Sequence, residues 1–217
     1  MIGVVIPAHN EEDYLLACLT AIAQAASHPE LGGEEVCVVV VLDSCTDGSA
    51  IIATRHGALT LRVAARNVGI ARATGARQLI EAGARWLAFT DADTIVSAQW
   101  LVAQLALGAD AVCGSVTVTD WSQHTQQVQD IYNSIYVDAE GHRHIHGANF
   151  GVSTQAYQRA GGFSPLVTSE DVALVQALTA AGVRIAWSAL PRVSTSARVD
   201  PRARDGFGDY LLSLAEP

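Results

Sequence analysis

Positive charge is scarce in this chain: 13 Lys and Arg stand against 22 Asp and Glu among 217 residues, a formal net charge of −9. Phosphate backbones demand clustered basic side chains, so a nucleic-acid surface is excluded. Long hydrophobic runs are missing as well. Hydrophobic residues make up 50% of the chain, yet no apolar run approaches the roughly 20 residues that span a bilayer, and a soluble protein is expected. The N-terminus, Met1-Ile2-Gly3-Val4-Val5-Ile6-Pro7, lacks the basic flank and small-residue cleavage site of a signal peptide. The expected location is the cytoplasm, free or peripheral to the inner membrane. Cys18, Cys37, Cys45 and Cys113 are scattered, with no Cys-x-x-Cys pair to suggest zinc or a redox site, and read as buried or free thiols. No internal repeat and no linker rich in Pro, Gly or Ser divides the chain, whose length suits a single domain over 1–217.

What is present is an alternation of apolar strands and helices. Residues 2–6, 36–42, 59–63 and 86–90 read as buried strands. Between them come a helix opened by Glu11-Glu12-Asp13, one through Ile51-Ile52-Ala53, and one from Gly69 to Glu81. This order with short links predicts an α/β fold, Rossmann-like, with a mostly parallel central sheet and helices on both faces. The rhythm loosens after Asp93. A helix is expected over about 98–107, a strand near 111–118, a polar stretch over 119–146, and a last clear helix over about 171–181, ended by Gly182. The second half is expected to complete the same sheet, and the tail after Pro191 has no assignment.

Three polar clusters follow three of the strands: Pro7-Ala8-His9-Asn10-Glu11, Asp43-Ser44-Cys45-Thr46-Asp47 and Asp91-Ala92-Asp93. Parallel strands point one way, so the clusters should converge along the carboxyl edge of the sheet, where ligands of open α/β sheets bind. Thr46, Asp47, Ser49 and Ser169 read as helix caps. Asp43 stands directly at a strand end, where a carboxylate can accept from a base N–H or a ribose hydroxyl. Neither a Gly-x-Gly-x-x-Gly after the first strand nor a Gly-Lys-Thr phosphate loop occurs. Arg66, Arg72 and Arg77 recur on one segment and could meet a diphosphate locally; for Arg72 a solvated helix face is an equal reading.

Taken together, Val-Val-Ile-Pro-Ala-His-Asn-Glu-Glu at 4–12, Val-Leu-Asp-Ser-Cys-Thr-Asp-Gly-Ser at 41–49, Ala-Arg-Asn-Val-Gly at 65–69, Asp-Ala-Asp at 91–93, Gly-Ala-Asn-Phe-Gly-Val at 147–152 and Ser-Glu-Asp at 169–171 resemble family 2 glycosyltransferases. The resemblance implies a single GT-A domain with a nucleotide-binding half over about 1–94 and an acceptor-binding half over about 95–217. It also implies inverting, non-processive transfer from a nucleotide-sugar donor, most often a UDP-sugar, to a hydroxyl-bearing acceptor. By position, Pro7, Ala8, Asn10 and Glu11 would line the base and ribose pocket, Asp43 would meet the base, and Arg66 and Asn67 would close over the nucleotide. Asp91 would face the ribose and Asp93 a divalent cation, Mg²⁺ or Mn²⁺, ions that prefer oxygen ligands. Asp171 would be the general base, with Glu170 in reserve, and Asn149 would contact sugar or acceptor.

Two departures from the family pattern stand out. A late histidine near metal and diphosphate is absent from Pro191-Arg192-Val193-Ser194-Thr195-Ser196-Ala197-Arg198, where Arg192 or Arg198 is either a diphosphate contact or a surface charge. The Gln-x-x-Arg-Trp signature of processive relatives is absent too. His142, His144 and His146 alternate and could bind a metal, although an acceptor-contacting or exposed loop suits them better. Two other functions stay open: a sugar nucleotidyltransferase, whose glycine-rich basic loop is missing, and a non-catalytic nucleotide-sugar binder.

Overall fold

Apolar alternation along the first strand already dictates two faces. In the computed structural model, which describes residues 1–200 and 206–215, β1 (Ile2–Ala8) sends Val4 and Ile6 into one buried cluster and Val5 into another, as the two-residue period of a strand requires. α1 (Leu15–Ala26) and α4 (Trp100–Ala106) cover the first face through Leu15, Ile22 and Trp100. α3 (Val68–Glu81) and α7 (Glu170–Ala180) cover the second through Leu79 and Leu174. Close approach of α3 to the sheet depends on Gly75, where a Cβ would stand 2.6 Å from Val5 Cγ1.

Seven strands make the main sheet. β2 (Val36–Asp43) pairs parallel with β1 and β3 (Leu59–Val63), and β4 (Trp86–Phe89) pairs parallel with β1 on its other side. Next come β8 (Phe150–Ser153), β6 (Ala111–Gly114) and β9 (Ile185–Ser188), giving the order β3-β2-β1-β4-β8-β6-β9. Only β8 runs against its neighbours. Its reversed direction brings the start of β8, and the turn 147–149 before it, to the edge where β1, β2 and β4 end.

A second, three-stranded sheet was not expected. β5 (Thr94–Val96) pairs antiparallel with β10 (Val193–Thr195), which pairs parallel with β7 (Thr117–Val118). The second half therefore does more than complete the first sheet, and the single strand expected over 111–118 divides between the two sheets. The helix expected to open at Glu11 begins at Leu15, its acids lying in the preceding turn. The polar stretch 119–146 contains α5 (Gln126–Ile135), capped by Thr125 Oγ1 accepting from Val128 N and burying only Val128 and Tyr132. α2 (Ser49–Arg55), α6 (Thr154–Arg159) and α8 (Phe207–Ser213) complete the layers. Among the described residues no helix is long and apolar enough to cross a membrane.

Candidate active site

Loops after β1, β2 and β4 meet at the carboxyl edge, and those after β1 and β2 are tied together by their own polar groups. Asn10 Oδ1 accepts from Thr46 N at 2.8 Å, Glu11 N donates to Ser49 Oγ at 2.9 Å, and Glu12 N donates to Asp47 Oδ2 at 3.0 Å. Asp47 Oδ1 also accepts from Ser49 N at the start of α2, the capping role expected for it. Among the described residues, the non-glycine residues in the left-handed region are Asn10 (φ 54°), Ser44 (φ 55°), Arg66 (φ 45°) and Ser169 (φ 58°). All four lie in the loops of this edge or at its helix, where backbone strain of order 1–3 kcal/mol per residue is held by surrounding bonds. Ser169 precedes α7, but its side chain makes no capping bond, contrary to the expectation.

Asp43 holds one of these strained loops. Its Oδ1 accepts from Ala65 N (2.9 Å), Arg66 N (2.8 Å) and Ser44 Oγ (3.0 Å), and its Oδ2 from Asn67 N (2.8 Å). Burial pushes the carboxyl up, but the amides of Asn67, Arg66 and Ala65 and the Ser44 hydroxyl outweigh it, and the pKa falls below the ordinary aspartate value. A carboxyl lowered by folding stabilises the native state above its unfolded pKa, and that contribution disappears as pH falls through the folded pKa. We therefore expect amide exchange at residues 65–67 to accelerate selectively on acidification below about pH 4, and an Asp43→Asn variant to show the same acceleration at neutral pH. Equal protection in the variant at neutral pH would disprove this role.

Asn67 begins α3 as its cap, Oδ1 accepting from Ile70 N, while Nδ2 donates to Pro165 O at 3.1 Å. Pro7 and Ala8 end β1 at the floor of the edge, Ala8 buried. Arg66 contributes its backbone amide to Asp43, as described.

Asp91 and Asp93 follow β4, and each meets an arginine. Arg72 Nη2 donates to Asp91 Oδ1 at 2.5 Å, and Arg72 Nη1 pairs with Glu170 Oε1. Arg72 is only 4% exposed, so the solvated-face reading is corrected: the residue lies on the buried stripe of α3 with Gly69, Ala76 and Leu79. A Cβ at Gly147 would collide with its guanidinium. Glu170 is equally buried and neutralised in place. Asp171 differs: it is half-buried, and its oxygens accept from Gly147 N and from Val172 N, both at 2.8 Å. Among the described residues no cation pairs with Asp171.

Arg198 is the group that sequence reasoning left undecided. Its Nη1 and Nη2 donate to the two oxygens of Glu11 at 2.8 and 2.7 Å, and Nη2 lies 3.1 Å from Asp93 Oδ2. Burial pushes the Asp93 carboxyl up to about 7, Arg198 pulling it down and Asp91 and Glu11 adding to the rise. Arg192, the other candidate, is a half-exposed partner of Asp138 away from this group.

Two further expectations meet corrections. Asn149 does not line the site: it is wholly buried, accepting from Trp100 Nε1 at 2.9 Å and donating to Ser115 O and Pro191 O at 2.7 Å each. Its amide joins α4 to the loops after β6 and β9, so it serves the framework. Residues 142–146 form no strand; His142, His144 and His146 stack successively at 5.4 and 5.9 Å. His144 lies flat on Tyr136 at 4.1 Å, and burial holds His146 down at about 3, so it stays neutral. Tyr136, His144, His146, Phe207 and Tyr210 border a cavity of about 270 Å³, and Gly147, which bonds Asp171, follows His146 directly.

Against known proteins, the family model described as glycosyl transferase family 2 matches residues 3–162. The chain belongs to glycosyl transferase family 2. Glu170, Asp171 and Arg198 lie beyond the matched stretch. No curated protein matches by sequence, whereas solved structures with the same fold do. S. aureus TarS 1–349 in complex with UDP-GlcNAc matches with a TM-score of 0.69 at 16% identity, covering 98% of this chain and 64% of that one. Glucosyl-3-phosphoglycerate synthase from Mycobacterium tuberculosis, in complex with Mn²⁺, UDP and glucosyl-3-phosphoglycerate, matches at 0.66 and 19% identity, covering 99% and 76%. The mannosyltransferase PcManGT from Pyrobaculum calidifontis, in complex with GDP-Man and Mn²⁺, matches at 0.65 and 18% identity, covering 96% and 59%. The family 2 chain has the GT-A fold of these structures and spans about three fifths of the length of the TarS structure. The α/β, mostly parallel architecture expected from the sequence is thereby borne out.

Proposed function

We propose that this family 2 chain is an inverting glycosyltransferase that moves a sugar from a nucleotide-sugar donor, a UDP-sugar by preference, to a hydroxyl-bearing acceptor, one transfer per acceptor. The observation that carries this reading is the division between two adjacent acids. Glu170 is buried and paired with Arg72, while Asp171 presents a carboxylate that, among the described residues, is held by backbone amides alone beside the donor edge. In the reaction the acceptor oxygen attacks the anomeric carbon from the face opposite the diphosphate. Asp171 takes the hydroxyl proton, and the bond between anomeric carbon and phosphate oxygen breaks with its electron pair leaving on the diphosphate. A base of modest strength suffices, because the hydroxyl becomes acidic only as the new bond forms.

Residues 1–94 hold the donor in this reading and 95–217 the acceptor. Pro7, Ala8, Asn10 and Glu11 line the base and ribose, and Asp43 Oδ2, which accepts one backbone bond, has a lone pair left for a base N–H. Arg66 and Asn67 flank that base, and Asp91 Oδ2 faces the ribose. The place of action is the cytoplasm, where thiols such as Cys18 and Cys113 stay reduced. A divalent cation at Asp93 does not fit the residues as they stand, because Glu11 and Asp93 are both already paired with Arg198.

Calorimetric titration with UDP and GDP tests the donor assignment. UDP is expected to bind more tightly. Tighter GDP binding would overturn the uridine preference, and binding of neither would remove the donor reading altogether.

A further inference from the structure

We propose that the Arg198 guanidinium, clamped between Glu11 and Asp93, is the cation that meets the donor diphosphate in this chain, in the place where a metal ion was expected. The inference rests on the transferase reading of the site and concerns how that site handles phosphate charge. Two features of the fold bring Arg198 there. Pairing of β5 with β10 sets Thr94 opposite Thr195, their hydroxyls 3.0 Å apart, so the chain leaving β10 is carried back past Asp93. The loop after β1 then offers Glu11, itself fixed by its amide on Ser49 Oγ.

The contact is a fork meeting a fork. Both Glu11 oxygens accept from the two terminal nitrogens of Arg198 at 2.8 and 2.7 Å, the same Nη2 lies 3.1 Å from Asp93, and the guanidinium carbon stands 5.2 Å from the Tyr14 ring centre. A guanidinium carries five N–H donors in a rigid plane. Glu11 accepts one N–H from each terminal nitrogen and Asp93 adds an ion pair at Nη2, so among the described residues the Nε–H and the second Nη1–H have no partner and can meet phosphate oxygens. The side chain keeps 13% of its surface exposed. Planar, permanently charged and pre-positioned by two acids, Arg198 can neutralise charge growing on a departing diphosphate without reorganising.

A divalent ion at the same carboxylates would have to displace this three-point pairing or sit against a like charge. Lysine offers no substitute elsewhere, since all thirteen basic residues of the chain are arginines. Arg72, the buried arginine of the edge, stands at Asp91 and Glu170 and not at Asp93. Among the described residues, Arg198 is the arginine that stands at Asp93.

Calorimetry of UDP binding to chelator-treated full-length protein, with and without added Mn²⁺, decides the matter. The expected result is binding that Mn²⁺ changes less than about threefold. Arg198→Met should weaken it at least about tenfold in either condition, as loss of a charge-assisted contact implies, with Arg198→Lys intermediate. Melting curves of all variants identify any that are unfolded, and Arg198→Lys keeps the test decisive if Arg198→Met is among them. Binding that requires Mn²⁺, or that survives both substitutions unchanged, overturns the proposal while leaving the transferase reading in place. Absence of UDP and GDP binding in every condition removes both.

Discussion

An Asp171→Asn protein is expected to bind donor as the unsubstituted chain does and to transfer sugar about 10²- to 10⁴-fold more slowly, the range that a positioned general base supplies. The substitution keeps the shape and one of the two acceptor oxygens: Gly147 N donates to Oδ2 and Val172 N to Oδ1, so one of these two bonds is retained and the other is lost, a small cost to the turn before β8 or the start of α7 that a melting curve reads. What it removes is the ability to take a proton. Glu170 cannot stand in, because it is buried and its charge is committed to Arg72. The loss should fall on kcat, with donor affinity measured by calorimetry unchanged. A variant that transfers at the original rate would take Asp171 out of the reaction; a variant that loses donor binding equally would make it a binding residue instead. Product anomer analysis on the unsubstituted chain complements this measurement, since retention of configuration is incompatible with Asp171 acting as a base in a single displacement.

The parts of this site that could be read in advance are those governed by local rules. Strand ends at Ala8, Asp43 and Phe89 follow from apolar runs that stop at turn residues, and β3 and α3 stand within one residue of their expected bounds. Convergence of the three polar clusters then follows from parallel pairing alone. Pairings between distant segments were not legible. Whether Arg198 is a surface charge or the partner of Glu11 depends on the small sheet that joins β5 to β10 across about a hundred residues, and a strand of three residues such as β10 leaves almost no periodic signal. Arg72 did carry a signal, since helical spacing puts it on one stripe with Gly69, Ala76 and Leu79. An arginine among small residues on a buried stripe implies a buried acid opposite, and Glu170 is that acid, with the half-buried Asp91 as a second partner. Asn149 misled in the other direction: its motif is shared with the family, but the structure spends all three of its observed hydrogen bonds on the framework.

Arg72→Met should be the most damaging single change to stability, costing about 3–5 kcal/mol because it leaves a buried charge without its partner. Glu170 is 3% exposed and has no water to turn to, whereas Asp91, whose side chain is 35% exposed, can be solvated where it stands. For a domain of this size the loss corresponds to a fall in Tm of roughly 10 °C. Methionine fills the space of the arginine stem and gives up the guanidinium, whose carbon stands 5.9 Å from the Phe163 ring centre, so the larger part of the cost is electrostatic. The same reasoning predicts a partial reversal. Replacing the pair, as in Arg72→Met with Glu170→Leu, removes both buried charges and should recover most of the lost stability, since apolar replacements of buried ion pairs are often neutral or better. If the single variant melted where the unsubstituted chain does, the ion pair would be a passive neighbour; if the double variant melted no higher than the single, the loss would lie in packing. Transfer by a stable double variant then reads what the pair does beyond stability. Arg72 joins Asp91 after β4 to Glu170 at the start of α7, so its loss frees the helix that carries Asp171 from the strand that faces the donor. A folded double variant with normal donor affinity and a lowered kcat would show that the buried pair positions the base.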